Sequence, residues 1–93
     1  MIKSFADRRT EQFHKLGTSR RFPASLRRAA MRKLFQLEYA KEIGDLAAPP
    51  GNRLEALAGE REGQYSIRIN DQYRLCFRFK SGDAYDVEIV DYH

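Results

Sequence analysis

Gln64-Tyr65-Ser66-Ile67-Arg68-Ile69, then Asn70-Asp71-Gln72, then Tyr73-Arg74-Leu75-Cys76-Phe77-Arg78-Phe79 is the stretch that decides the fold of this chain. Tyr65, Ile67 and Ile69 alternate with Ser66 and Arg68, which is the period-two signature of a half-buried strand. Tyr73, Leu75, Phe77 and Phe79 repeat the pattern against Arg74, Cys76 and Arg78, and the three residues between the two runs read as a tight turn. Toward the C terminus, Lys80-Ser81-Gly82-Asp83 turns again into a last strand carrying Tyr85, Val87 and Ile89. Toward the N terminus, Arg53 to Leu57 reads as a short strand, followed by the charged loop Ala58 to Gly63. The result is an antiparallel meander with one apolar face, and that face needs a cover.

Pro49-Pro50-Gly51-Asn52 breaks the chain just before the meander, and upstream of it the period is helical. Asp7 caps a helix over Arg8 to Leu16 that Gly17 stops. A second helix starts near Pro23-Ala24-Ser25, and Leu26, Ala30, Leu34 and Leu37 form its apolar stripe, flanked by Met31, Phe35 and Ala40. Arg27, Arg28, Arg32 and Lys33 fall to the side of that stripe or away from it. The helix is expected to run through Glu42, with Gly44 as its stop. Ile2 to Phe5 reads as a short opening strand. The expectation is one α+β domain over residues 1–93: an antiparallel sheet with two N-terminal helices packed on one face.

Charge divides the chain unevenly. Residues 1–33 hold ten Lys or Arg against Asp7 and Glu11, a net +8, whereas residues 34–93 hold seven basic and eleven acidic groups, a net −4. The basic third favours a polyanion or an acidic partner, although a solvated basic helix would show the same count. No apolar run reaches the length of a membrane span, and Met1-Ile2-Lys3-Ser4-Phe5 lacks the apolar stretch of a secretory signal. A single cysteine, Cys76, rules out an internal disulfide and suits a cytoplasmic protein; inside a strand pattern it reads as a packed thiol rather than a nucleophile. His14 and His93 stand far apart, and no His/Cys cluster has metal-ligand spacing.

Strand parity places Arg68, Arg74, Arg78 and Tyr92 on the sheet face away from the helices, and leaves the direction of His93 open. Metal-free RNA cleavage needs a proton acceptor for the 2′-hydroxyl, cations around the phosphorane, and a proton donor for the 5′-oxygen. Guanidinium forks suit the phosphorane, an imidazole suits either proton transfer, and a phenol donates a hydrogen bond or stacks on a base. The chain offers Arg61, Arg74, Tyr92, His93, Asp91 and Glu55 for these tasks. Each also has a plain structural reading: a terminal histidine is ordinarily a solvated surface group, Arg74 pairs equally well with Glu88 or Asp86 across the sheet, and Arg61 lies between two glutamates. Tyr65, Tyr73 and Tyr85 share the core parity and read as packing residues. These residues alone support a basic α+β domain, with RNA binding or metal-free RNA cleavage among the functions they allow, and nothing sharper.

The segments Asn52 to Leu57, Gly59 to Asn70, Asp71 to Phe79, Gly82 to Tyr85 and the closing Val90-Asp91-Tyr92-His93 resemble the HigB-type toxins of the RelE/ParE superfamily. Met1 to Phe5 looks like that family's first strand, and the resemblance is weakest between residues 6 and 35. It implies a compact sheet covered by two helices, and an enzyme that cuts mRNA in the A site of the ribosome. Attack by the 2′-hydroxyl leaves a cyclic phosphate, and no metal or cofactor is required. It further implies a HigA-like helix-turn-helix antitoxin as partner. On this resemblance Arg74 holds the scissile phosphate, His93 transfers protons, Tyr92 orients or stacks on the nucleotide, and Asp91 orients His93 or the substrate. Arg61, Arg68, Arg78, Arg53, Arg27, Arg28 and Arg32 are the expected contacts to RNA and ribosome.

Two departures from the family pattern stand out. Some relatives carry histidine at the place of Glu55 and lysine at the place of Ala58. Either Glu55 takes the base role or His93 acts largely alone in a weaker nuclease, and the second is the expectation here. Tyr73 stands where Trp is common, a packing change. Two other readings remain: a gyrase-poisoning relative, which the terminal Asp91-Tyr92-His93 argues against, and a remnant that only binds its antitoxin.

Overall fold

The computed structural model describes residues 1–92, so His93 lies outside the described residues. The chain runs α1 (Arg8–Leu16), α2 (Ala24–Tyr39), the short α3 (Gly44–Ala47), β1 (Glu55–Ala56), a 3₁₀ turn (Gly59–Arg61), β2 (Tyr65–Arg68), β3 (Tyr73–Lys80) and β4 (Asp83–Asp91). The strands form one antiparallel sheet in the order β1-β2-β3-β4. The α+β class and the helical cover on one face are as the sequence indicates.

Local chemistry sets the helix ends. The Asp7 carboxylate accepts from the Thr10 N–H at 2.8 Å, and Gly17, at φ 71°, closes α1 in a left-handed cap. The second helix ends at Tyr39, three residues short of the expected Glu42. Asp45 Oδ2 accepts the backbone N–H groups of Lys41 (2.9 Å) and Glu42 (3.1 Å), so a side chain offers those donors a turn in place of the helix. Gly44 accordingly opens α3 instead of stopping α2. Further on, Arg53 sits at φ 47°, and only Glu55–Ala56 of the expected Arg53–Leu57 strand pairs in the sheet.

Ile2 to Phe5 is not a full strand either. It makes two isolated parallel bridges, Ile2 to Ala84 and Phe5 to Val87, along the outer edge of β4. Past Phe5 that edge is taken over by α1, where the buried Thr10 hydroxyl accepts the Ile89 N–H at 3.0 Å. The strand edge is therefore covered along this length by the N-terminal segment and then by a helix.

Across the sheet, Ile67, Leu75 and Ile89 stand side by side in register on the core face and meet Phe13, Leu26, Leu34 and Leu37, all at most 1% exposed. Burying each such side chain contributes about 1.5–3 kcal/mol, which is what fastens the helices to the sheet. Two residues depart from the expected stripe of α2. Phe35 is 65% exposed beside Tyr39, whereas Lys33 is only 6% exposed and donates to the Oδ1 of the fully buried Asn52. Tyr85 also leaves the core parity. Between the Cys76–Glu88 and Arg78–Tyr85 pairs β4 holds one extra residue, and Asp86 within it lies at φ 53°. This bulge turns Ala84 into the core and sets Tyr85 opposite Arg78.

Candidate functional site

The register that builds the core builds a second row on the opposite face. Ser66, Cys76 and Glu88 stand abreast on β2, β3 and β4, and the next row on that face is Arg68, Arg74 and Val90. Ser66 and Cys76 are 0% exposed on this face, where the Arg74 side chain lies against Ser66.

Arg74 is the most constrained of these. Its side chain is 11% exposed; Nε donates to the Ser66 hydroxyl at 2.8 Å, and Nη2 donates to the carbonyls of Arg53 (2.6 Å) and Ser66 (3.3 Å). The guanidinium lies 5.9 Å from the centre of the Tyr92 ring and 3.9 Å from the Glu55 carboxylate. Arg74 thus pairs with neither Glu88 nor Asp86: Glu88 binds Arg61, and Asp86 binds Arg78 at 3.4 Å. The direct hydrogen bonds of Arg74 go to a hydroxyl and two carbonyls, and its carboxylate neighbour Glu55 is exposed and more distant, at 3.9 Å.

Arg61 joins this face from the loop between β1 and β2. Its Nη1 donates to Glu88 Oε1 at 3.2 Å and to Gln64 Oε1 at 3.1 Å. Burial works against the Arg61 charge, but the hydrogen bond and charge of Glu88, with smaller pulls from Cys76 and Tyr92, outweigh it and hold the guanidinium above its ordinary value. Tyr92 is anchored by its backbone N–H to the Gln72 carbonyl at 2.7 Å. Burial, and then the neighbouring Cys76, push the Tyr92 phenol up, against the opposing pull of Arg61 and Arg74. At neutral pH it is a hydrogen-bond donor and a stacking surface, not a base. Burial likewise pushes the Cys76 thiol up, so it is a packed group beneath the arginines and not a nucleophile.

The structure therefore brings Arg74, Arg61, Tyr92 and Glu55 together, and adds Arg53 through its backbone carbonyl. Asp91 is exposed at the end of β4 and accepts from Gln72 Nε2 at 3.1 Å. Arg68 shares the face but binds Asp71, and Arg78 lies farther along β3 beside Asp86. Arg27, Arg28 and Arg32 sit on α2, in the layer behind the sheet; Arg28 and Arg32 are exposed there, whereas Arg27 is half-buried. His93 lies outside the described residues. Among the described residues no three His, Cys, Asp or Glu side chains gather as a metal-binding group.

Sequence reasoning passed over Glu88 and Ser66. Both lie in register with Cys76, and their parity matches that of Arg74, so strand pairing was the signal that would have found them.

Comparison with known proteins adds three findings. The family model described as the RelE-like toxin of type II toxin–antitoxin system HigB matches residues 3–93. Toxin HigB-1 of Vibrio cholerae is 44% identical over 85 residues, spanning 90% of each chain, and the protein named Endoribonuclease HigB of Proteus vulgaris is 34% identical over 93 residues, the whole of both. Among solved structures, a chain of the YoeB–YefM complex from Staphylococcus aureus superposes with a TM-score of 0.61 at 17% identity, over 100% of this chain and 98% of that one, a likeness of fold alone.

Proposed function

Because this chain belongs to the HigB family of RelE-like toxins of type II toxin–antitoxin systems, we propose that it is an endoribonuclease that cuts mRNA in the ribosomal A site without a metal ion. The observation that carries this reading is Arg74, fixed by Ser66 and the Arg53 carbonyl, with its guanidinium beside Tyr92 and its carboxylate neighbour, the exposed Glu55, held off at 3.9 Å. That arrangement suits a phosphate whose negative charge grows as the 2′-hydroxyl attacks. Arg74 and Arg61 take the phosphate, Tyr92 orients or stacks on the nucleotide, and His93 moves the protons.

Glu55 is a poor choice for the base: its side chain is 57% exposed and faces a cation 3.9 Å away. This favours His93 as the main acid–base group, with Asp91 as its orienting neighbour. Arg68, Arg78 and Arg53 extend the RNA contact on the same face, while Arg27, Arg28 and Arg32 on α2 reach ribosomal RNA from the side. A HigA-like helix-turn-helix antitoxin is the neutralising partner in the cytoplasm.

Primer extension on a defined mRNA in translating ribosomes tests this, with the wild type beside Arg74→Ala and His93→Ala. A-site cuts by the wild type that disappear in both variants are the expected result. Uncut mRNA beside a wild type that still binds ribosomes refutes the nuclease reading and turns attention to gyrase or to simple antitoxin binding.

A further inference from the structure

Arg61 lies in the connection between β1 and β2, yet its carboxylate partner is on β4, two strands away. The Arg61 guanidinium meets Glu88 at the end of the row in which Ser66 and Cys76 are sealed from solvent. The main chain beneath it is pinned: the Arg61 N–H donates to the Ala58 carbonyl at 3.3 Å, and its own carbonyl accepts from Gln64 at 3.0 Å. Both side-chain contacts fall on Nη1, so the remaining donors of the fork are available to a phosphate. Arg61, through Glu88, and Arg74, through Ser66, are thus both held at the Ser66–Cys76–Glu88 row, one guanidinium tied down by a carboxylate and the other by a hydroxyl and carbonyls.

The carboxylate is the informative member. A glutamate in the middle of an RNA-binding face repels the substrate. As a fold contact it brings little in return, since ion pairs this open to water contribute little to stability, and these side chains are 33% and 24% exposed. What it does supply is geometry, holding a long flexible arginine in one place.

We propose that Glu88 is a positioning residue of the nuclease site, fixing Arg61 over the row it shares with Ser66 and Cys76 so that Arg61 and Arg74 grip the scissile phosphate together; this rests on the ribonuclease reading above. The proposal makes a split prediction. Removing Glu88 takes a negative charge away from the RNA, so binding holds or tightens, while the cleavage step loses a cation in register with the transition state.

The test measures single-turnover cleavage on mRNA-programmed ribosomes, and KM, for the wild type, Glu88→Ala, Glu88→Gln, Arg61→Ala and the Glu88→Ala/Arg61→Ala pair. Glu88→Ala is expected to slow cleavage about 10- to 100-fold at an unchanged or lower KM, a misplacement of about 1 Å sufficing for the upper figure. Glu88→Gln, which keeps the shape and an acceptor oxygen, should lie between, and it carries the test if Glu88→Ala fails to fold. With Arg61 already gone, the second change should cost less than twofold.

A Glu88→Ala rate within twofold of wild type, an equal loss in the Arg61→Ala background, or a loss seen only in KM each overturns the proposal. A lower melting temperature with full turnover per folded molecule overturns it too, because that is what a mere fold contact would give. Wild-type cutting that Arg74→Ala abolishes while Glu88→Ala keeps its rate sinks this inference and spares the ribonuclease reading; a wild type that never cuts sinks both.

Discussion

Asn52→Ala is a demanding test of how this fold holds its site. Asn52 is 0% exposed; its Oδ1 accepts from Lys33 Nζ, and its Nδ2 donates to Gln36 Oε1 and the Leu46 carbonyl, each at 2.9 Å. Truncation to alanine leaves the Leu46 carbonyl without this donor and the 6%-exposed Lys33 without its acceptor. A stranded buried acceptor costs about 1–3 kcal/mol and a lost bond to a charged group about 1.5–3, so the expected loss is about 3–5 kcal/mol. Against a typical total of roughly 5–15 kcal/mol, that is a large share of the stability. In a domain of this size it corresponds to a fall of roughly 12–40 °C in Tm. Urea unfolding followed by circular dichroism measures it directly, and the slope against denaturant should not change. Lys33→Met removes the group that most needs Asn52, so the Lys33→Met/Asn52→Ala pair should cost clearly less than the two changes summed. Activity should fall beyond what unfolding explains, because Asn52 precedes the Arg53 carbonyl that anchors Arg74 and its own carbonyl accepts from the Arg68 N–H at 2.6 Å. A loss under about 1 kcal/mol, or strict additivity with Lys33→Met, refutes the reasoning.

Four further outcomes are expected. Arg74→Lys keeps the charge but not the fork that Ser66 and Arg53 grip, so cleavage on ribosomes should fall about 100-fold or more with the fold intact by circular dichroism. Gly63→Ala should destabilise by about 1–2 kcal/mol in urea unfolding, because the position sits at φ 90° and a Cβ there would meet Arg78 Nη1 at 2.6 Å. Burial first, and then Arg32 and Arg68, lower the Lys33 pKa below its ordinary 10.5. Below that value the unfolded chain therefore binds more protons than the folded one, and stability should rise with pH as 10.5 is approached from the lowered value, a slope that Lys33→Met removes. The Cys76 thiol, buried and pushed up in pKa, should react with iodoacetamide far more slowly in the native protein than in urea, as mass spectrometry would show.

The reading of the chain succeeded where a local rule and the tertiary structure agree. Alternation over Tyr65–Phe79 fixed the hairpin, and it is the central pairing of the sheet, with Ile67 against Leu75 and Ser66 against Cys76. Asp7 and Gly17 announced α1 through capping chemistry that involves only near neighbours. It failed where a distant or unusual backbone feature intervened. Asp86 adopts a left-handed conformation without being a glycine, so nothing in the pattern marked the bulge that moves Tyr85 off the core parity. Lys33 looked like one more basic side chain of α2, because the buried amide that receives it comes nineteen residues later. Glu55 reads from the sequence as a surface strand carboxylate, and it is one, 57% exposed on the short strand β1.

The site teaches the same lesson in a sharper form. Arg74, Arg61 and Tyr92 could be named from the sequence because their chemistry suits a phosphate and a nucleotide. Their supports could not, because a backbone carbonyl carries no residue signature: Arg74 rests on the carbonyls of Arg53 and Ser66, and Arg53 presents its own from φ 47°. The placement of the Arg74 guanidinium therefore depends on the conformation of the Pro49–Arg53 turn as much as on the arginine itself. That turn is in its place because Asn52, at its end, ties it to Gln36 and Lys33 of α2. Variation in the helix layer should consequently reach the nuclease face through Asn52, whereas changes at exposed α2 positions such as Arg28 have no such route. Lys33→Met and Gln36→Ala should each shift the Arg74-dependent cleavage rate while Arg28→Ala leaves the single-turnover rate at saturating ribosomes unchanged; equal effects at all three would show that the helix layer acts on ribosome binding and not through the turn.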